Sequence, residues 1–386
     1  YMYMCSDPGQ ELIKQDILDH DVNRVVVASC SPRMHEPTFR TVVQEVGVNP
    51  YYFEMANIRE QCSWVHTERD IGTQKAIELV AGTVAKAALL EPLEEREVDV
   101  TPAALVIGAG IAGLEAAMDI AEAGYRVHLV EKQPHLGGRM GQLNATFPRM
   151  EDAGNLVTSE IERAMEHPNV EILANSEVTN VDGYIGNFEV TVSQCPSYVD
   201  ADRCTSCNKC AEVCVLSGQI PDQFQLGLSH RAAIYPPVPE AILGTYTVDS
   251  DNCLMIKDGR CSVDPAEGLE VDGNIPPCVQ ACPEEAVDFG QHETKVILKV
   301  GTIIVATGYD PFDPSRKPEF GYGHYPGVLT ALEFERLAAR NGPTGGQIII
   351  PGTDKHPEHV VFIHCVGSRD KLLGNEYCSR VCCMYT

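Results

Sequence analysis

AALVIGAGIAGLEAAMDIAEAGYRVHLVE, running from Ala103 to Glu131, decides the fold. Ala103–Ile107 is a run of apolar residues of strand length, Ile111–Ala123 carries an apolar helical face closed by Gly124, and Arg126–Glu131 reads as a second strand. Between the first strand and the helix lies Gly108-Ala109-Gly110-Ile111-Ala112-Gly113, a G-x-G-x-x-G. Gly108 permits the tight turn, Gly110 lets the backbone approach a pyrophosphate, and Gly113 packs the helix against the sheet. The helix N-terminus adds amide donors and a positive dipole end. Glu131 ends the second strand 18 residues past Gly113 (131 − 113), where a carboxylate accepts hydrogen bonds from a ribose diol. A fingerprint alone is weak evidence, since any glycine-rich turn can match it. Here strand, helix, second strand and terminal acid all agree, and they predict an α/β, doubly wound parallel sheet that binds a dinucleotide.

Outward from this stretch, two features favour FAD over NAD. Glu131-Lys132 is followed by Leu136-Gly137-Gly138-Arg139, resembling the flavoprotein continuation in which the chain folds back over the diphosphate. Thr302–Asp310 (TIIVATGYD) resembles the second FAD motif, a strand ending in Ala-Thr-Gly, and brings Thr307, Gly308 and Asp310 into the candidate site. The cofactor-binding candidates are thus Gly108, Gly110, Gly113, Glu131, Lys132, Gly138, Arg139, Thr307, Gly308 and Asp310. Strand signals resume at Lys295–Thr307 and at His359–His364. A second glycine fingerprint is absent: the expected strand Val360–His364 runs into Cys365-Val366-Gly367-Ser368. GxSxG and a Ser-His-Asp order are also missing. The 12 histidines show no metal-ligand spacing, and His35 and His66 read as surface or capping residues.

Sixteen cysteines, about 4% of 386 residues, fall below the roughly 8–10% of a disulfide-stapled secreted scaffold. In a reducing compartment such numbers point to metal binding or redox chemistry. Cys204-x2-Cys207-x2-Cys210-x3-Cys214 has the ligand spacing of a bacterial ferredoxin, in which the fourth cysteine serves the other cluster of a pair. Cys253, Cys261, Cys278 and Cys282-Pro283 form a second set. By the crossed rule, Cys204, Cys207, Cys210 and Cys282 would hold one 4Fe–4S cluster, and Cys214, Cys253, Cys261 and Cys278 the other. Zinc is the rival reading, because paired C-x2-C motifs also bind it tetrahedrally, although a triple-cysteine run followed by x3-Cys is not the usual zinc grammar. Val215 stands where ferredoxins usually have Pro, and a long insertion separates Cys261 from Cys278. Cys365, Cys378, Cys382 and Cys383 make a third set. In the first hundred residues Cys5, Cys30 and Cys62 are either three buried thiols or a cluster lacking an upstream ligand, and spacing does not decide between them. Cys195 has no partner by spacing and reads as a plain thiol.

The N-terminal block carries a helical pattern at Gly9–His20, a strand at Arg24–Ser29, and a longer helix at Thr67–Leu90 with Ile77, Val80, Val84 and Ala88 on one face. It ends at Glu91-Pro92 and an acidic linker, Glu94-Glu95-Arg96-Glu97. The expected domains are an α/β block (1–97), a dinucleotide-binding domain in two parts (98–194 and 291–340), an inserted cysteine module (195–290), and the start of a second nucleotide-binding-like domain (341–386). No internal repeat or low-complexity tract appears. Lys and Arg number 29 against 55 Asp and Glu, a net charge of −26, which excludes a general nucleic-acid phosphate binder. No 18-residue apolar run suggests a membrane span, and no basic-then-apolar leader opens the chain, so a cytoplasmic protein is expected. Starting at Tyr1 and stopping just past Cys382-Cys383, the sequence reads as an internal piece of a longer polypeptide.

Four stretches together resemble the A-type subunit of heterodisulfide reductase, a family of methanogenic archaea and their relatives. They are CSDPGQELIKQDI (Cys5–Ile17), RVVVASCSPRMHEPTFR (Arg24–Arg40), the fingerprint, and CVGSRD…YCSRVCCMYT (Cys365–Thr386). The resemblance implies a thioredoxin-reductase-like FAD domain with an inserted two-cluster ferredoxin-like domain and a small N-terminal α/β domain. It also implies that Cys365, Cys378, Cys382 and Cys383 hold a 4Fe–4S cluster where a reductase would bind NAD(P)H. Functionally it implies an FAD and iron–sulfur electron-transfer subunit that bifurcates electrons. The donor would be a hydrogenase or a formate- or deazaflavin-linked enzyme, joined through a hydrogenase or formate dehydrogenase linking subunit. One electron would go to ferredoxin, the other to the B-type and C-type subunits that cleave the coenzyme M–coenzyme B heterodisulfide. This chain would then bear no catalytic nucleophile of its own, and would sit as a homodimer in a larger complex. Two other functions fit the motifs less well: an NAD(P)H-dependent FAD/iron–sulfur reductase of the glutamate-synthase small-subunit type, and a zinc-binding scaffold without redox chemistry.

Overall fold

The computed structural model describes residues 1–238, 245–261, 275–378, 380 and 383. The chain divides into two compact units, Tyr1–Val98 and Asp99–Thr386.

In the first unit, strands Val25–Ser29 and Phe53–Asn57 pair in parallel from Val25 opposite Phe53 to Ser29 opposite Asn57. Helices Asp7–His20, Pro32–Glu45 and Arg69–Ala88 accompany them. The core gathers Ile13, Ile17, Val27, Phe39, Val42 and Phe53, with the Phe39 and Phe53 rings stacked at 5.6 Å. Two elements were not anticipated. Helix Pro32–Glu45 holds Pro37 in its interior, which reads as a breaker, yet Ser31 caps its start by accepting the Arg33 N–H. Strand Phe53–Asn57 mixes Glu54 and Asn57 among its apolar residues and lacks a clean alternation. The apolar face expected on the third helix is largely solvent-facing: Ile77 and Val84 are exposed, and Ala87 is its buried residue.

The second unit is built on a four-stranded parallel sheet in the order Thr302–Val305, Ala103–Ile107, Arg126–Val130, Val170–Leu173. Because alternate residues of a strand face opposite ways, Val106 and Leu129 pack under helices Ile111–Glu122 and Ala153–Glu166, while Leu105 and Val130 face the other side. There they meet Val190, Val192, Leu298 and Val300 of an antiparallel sheet formed by Thr294–Val300, Asn187–Gln194 and Ser176–Tyr184. This is the α/β parallel sheet that the fingerprint predicts, but among the described residues it is not doubly wound, since an antiparallel sheet rather than helices covers its second face.

Two strand expectations need correction. Lys295–Thr307 is not one strand but two in different sheets, turning at Gly301, where a Cβ would stand 2.3 Å from the Thr101 carbonyl oxygen. His359–His364 forms no strand: among the described residues none pairs with it, and Val360, Val361, Phe362 and Ile363 are exposed.

The described residues between Cys195 and Gly290, called here the cysteine module, lie within this same unit. It has two small hairpins, Ile220–Pro221 with His230–Arg231 and Ile234–Tyr235 with Thr247–Val248, and short helices Lys209–Glu212, Leu254–Asp258 and Pro277–Gln280. Its own core joins Val199, Ile234, Tyr246, Val248 and Val287 with the cysteines. A buried ion pair, Arg231 to Asp249 at 2.7 Å, braces the hairpins, with the guanidinium 3.5 Å from the centre of the Tyr235 ring.

Candidate flavin and cluster sites

The fingerprint turn is drawn tight by its glycines. Gly108 has φ of 101°, and a Cβ there would stand 2.4 Å from the Ala306 carbonyl oxygen. A Cβ on Gly113 would fall 1.8 Å from the Gly108 oxygen, so helix and turn approach as only glycine allows. Gly110 differs: nothing lies within 4 Å of its Cβ position. It caps helix Ile111–Glu122 without any side-chain bond, leaving the first-turn amides to an anion.

Leu136–Arg139 folds back onto this turn. Gly137 bridges Gly110, its N–H donating to the Ala109 carbonyl at 2.8 Å, and a Cβ on Gly138 would meet the Gly110 Cα at 3.1 Å. Both glycines have positive φ, which fits them for so close a return. Pairing of Thr302–Val305 with Ala103–Ile107 carries Thr307 to the opposite side of the turn, its Cα 3.2 Å from the Gly108 Cβ position. Gly308 and Asp310 follow, exposed. Arg139 reaches the Gln142 side chain at 3.1 Å, whereas Lys132 is exposed and pairs with Glu177 at 3.4 Å. Glu131 is engaged by backbone: Ala109 N–H donates to one carboxylate oxygen and Gln133 N–H to the other, each at 2.8 Å. Each oxygen keeps a second lone-pair site, enough for a ribose hydroxyl. The glycine turn, its open helix end and the fold-back loop fit a flavin dinucleotide.

The module gathers its cysteines into two groups. Cys204, Cys207, Cys210 and Cys282 line one hollow with Val199, Tyr246 and Val287. Cys214, Cys253, Cys261 and Cys278 line another with Leu216, Ile234, Val248, Met255 and Phe289. Sulfur ligands walled by apolar side chains suit a thiolate-held cluster. Burial pushes the Cys210 thiol up to about 12, with the charges of Cys204, Cys282 and Cys207 adding to it. Burial likewise pushes Cys278 up to about 12, joined by Cys214, Cys261 and Cys253. Thiolates here need a cation to hold their charge, and metal binding would release the protons. Among the described residues, no three His, Cys, Asp or Glu converge as they would on a single metal ion.

The third set is less assembled. Arg369 N–H bonds the Tyr377 carbonyl and Asn375 the Gly367 carbonyl, so residues 365–378 double back and bring half-buried Cys365 toward exposed Cys378. Cys383 is exposed, and Cys382 lies outside the described residues. In the first unit, Cys30 and Cys62 follow the two paired strands, and Cys5 is exposed. The Cys62 thiol is buried and donates to the Gly72 carbonyl at 2.9 Å, the arrangement of a core thiol. Cys195 is exposed at the module's first residue, its N–H bonded to Asn175.

One feature next to the fold-back loop was missed from sequence. Arg336, on helix Ala331–Ala338, is 0% exposed and bonds Gln142, Gln225 and Asn341. The Thr330-x-x-Glu333 capping box that starts its helix is readable in the sequence, but nothing in the sequence marks this arginine as buried.

The NAD(P)-binding Rossmann-like domain profile matches residues 106–159, which hold the fingerprint. The A-type iron-sulfur subunit of the CoB–CoM heterodisulfide reductase of Methanocaldococcus jannaschii is 48% identical over the whole of this chain, which covers 56% of that protein. The second A-type iron-sulfur subunit of the CoB–CoM heterodisulfide reductase of Methanopyrus kandleri is 49% identical, again over 100% of this chain and 56% of the relative. Along its whole length the chain is similar to the A-type subunits of heterodisulfide reductases. The A-type subunit of the hydrogen:CoB–CoM heterodisulfide,ferredoxin reductase of Methanothermobacter thermautotrophicus is 46% identical over 100% of this chain and 55% of its own length. The chain thus spans a little over half the length of these relatives. A solved thioredoxin reductase from T. acidophilum aligns with 24% of this chain and 31% of its own at 20% identity and a TM-score of 0.21, too slight a likeness to carry an argument. No helix among the described residues is long and apolar enough to cross a membrane.

Proposed function

We propose that this chain is the FAD and iron–sulfur electron-transfer part of a heterodisulfide reductase, an oxidoreductase subunit working in the cytoplasm. The observation that carries the reading is two cysteine quartets in one module of the unit that bears the fingerprint turn. Names of the relatives, which include an iron-sulfur subunit and a heterodisulfide,ferredoxin reductase, point the same way. When bound, a flavin would take up electrons in pairs and the clusters would carry them singly to partners, the division of labour that bifurcation needs.

The chain's own residues bind and orient. Gly110 and the open end of helix Ile111–Glu122 would receive the pyrophosphate, Glu131 the ribose, and Gly137–Arg139 would close over them. Cys204, Cys207, Cys210 and Cys282 would hold one 4Fe–4S cluster, and Cys214, Cys253, Cys261 and Cys278 a second, making the module a ferredoxin-like insertion. A third cluster at Cys365, Cys378, Cys382 and Cys383 belongs to the same proposal. The hollow within each quartet favours a cluster over a zinc ion, which would draw four sulfurs onto one point. The partners would be the B-type and C-type subunits, ferredoxin, and a hydrogenase- or formate-linked donor, with heterodisulfide cleavage left to a partner.

The test is anaerobic delivery of electrons. The chain, loaded with its cofactors and reduced, is mixed with oxidised ferredoxin, and ferredoxin bleaching is followed. Bleaching, with no reduction of the chain by NADH or NADPH, is expected. Loaded chain that reduces no one-electron acceptor, or that draws its electrons readily from NADPH, would overturn the reading.

A further inference from the structure

Among the described residues, the cysteine module is joined to the rest of its unit near its two chain ends and at a third place between them. That third tie is Phe224-Gln225, which falls in the sequence between Cys214 and Cys253. Both residues are buried, at 8% and 4% exposure, in a turn closed by Asp222, whose carboxylate accepts both of their N–H groups. The Phe224 ring meets the His135 ring edge-on at 5.5 Å, and its carbonyl accepts from the Gln142 side chain at 2.9 Å. His135 and Gln142 flank Gly137-Gly138-Arg139, the loop that folds over the fingerprint.

Arg336 closes this arrangement. Its Nε donates to the Gln225 side chain at 2.9 Å, one terminal nitrogen to the Gln142 carbonyl at 3.3 Å, and the other to the Asn341 carbonyl and side chain, both at 3.0 Å. The guanidinium also lies 5.0 Å from the centre of the Phe224 ring. Among the described residues no carboxylate forms an ion pair with it. Burial makes its charge costly and lowers its proton affinity. A buried charge held by neutral partners is kept in place only where all of them are fixed together. The adjacent Glu335 adds a further hold, accepting the Asn144 N–H at 2.7 Å.

We infer that Arg336 is a positioning residue that clamps the cysteine module, through Gln225 and Phe224, onto the loop closing over the dinucleotide site, and so fixes the spacing between flavin and clusters. The inference rests on the proposed function for its purpose, but the clamp itself is a property of these side chains. It acts by holding geometry and moves no electron or proton itself.

The test uses the cofactor-loaded chain and four variants: Arg336→Met, Gln225→Leu, which attacks the same contact from the module side, the double variant of these two, and Arg336→Lys. Two quantities are read beside flavin and iron content. One is amide hydrogen exchange at residues 222–228; the other is the rate of electron equilibration between flavin and clusters after rapid reduction. Losing a hydrogen bond to a charged group should speed local exchange by roughly tenfold or more in Arg336→Met and Gln225→Leu, while flavin and iron stay at wild-type levels. Electron equilibration should slow in both, the double variant should be no worse than either single one, and Arg336→Lys should recover part of each effect. Unchanged exchange in both variants would overturn the clamp. Faster exchange with unchanged electron equilibration would overturn its role in spacing. Wild-type chain lacking flavin or iron would sink the functional reading instead, and the exchange measurement would still decide the clamp.

Discussion

Gly110 and Gly113 sit three residues apart in one motif and have opposite physical roles. At Gly113 an added Cβ would collide with the Gly108 oxygen at 1.8 Å, and that oxygen is backbone and cannot swing away. Gly113→Ala should cost about 3 kcal/mol or more as the helix is forced off the turn, lowering the melting temperature and losing flavin together. Gly110→Ala meets no protein atom within 4 Å, so the melting temperature should stay near wild type while flavin content falls. Differential scanning calorimetry beside flavin absorbance separates the two. Equal effects on both readouts in both variants would mean the motif is only a packing turn. A second pair of variants applies the same logic to sulfur. Cys210→Ser should remove about one cluster's worth of iron, roughly four atoms, whereas Cys195→Ser should leave iron unchanged. Iron analysis that finds both variants alike would contradict the assignment of ligands.

At the scale of elements, the sequence was most legible where chemistry constrains spacing. The fingerprint strand–turn–helix–strand could be read because the pyrophosphate's need for close backbone approach is written in glycines. The cysteine grouping could be read because short intervals keep Cys204, Cys207 and Cys210 together, and the fold sets them around one hollow with Cys282. Strands were harder where tertiary context decides: Lys295–Thr307 looks continuous, yet Gly301 hands the chain from one sheet to the other. Val360–Ile363 has the composition of a strand but, among the described residues, no partner to pair with. Arg336 was illegible because its burial depends on Gln142 and Gln225, residues far away in sequence. The parallel sheet also carries a pH prediction. His128, on strand Arg126–Val130, is held below the ordinary His range of about 6.5 by burial, although Glu171 at 2.9 Å opposes the shift. His135 is lowered for the same reason. Their folded forms take up protons later than the unfolded chain does, so their contribution is complete above about pH 6.5 and is lost as pH falls through the depressed values. Glu171, lowered by its hydrogen bond from Arg126, titrates further to the acid side. Urea midpoints should therefore drop between pH 7.5 and pH 5.5, and less steeply in His128→Gln. An identical drop in that variant would show that His128 carries none of the dependence.

For the whole molecule, the proposed electron-relay role depends on one unit holding both a dinucleotide-type turn and two cysteine quartets walled by apolar residues. The acidic balance of 55 against 29 suits docking to basic partner surfaces, though it also serves ordinary solubility. What separates an electron relay from a metal-braced scaffold is the identity and number of the groups bound. The decisive measurement is an anaerobic count of iron, acid-labile sulfide, zinc and flavin per chain. An electron relay predicts one FAD with about eight iron and eight sulfide from the two quartets, more if the Cys365 set is filled. Zinc in place of iron, or iron without flavin, would contradict it.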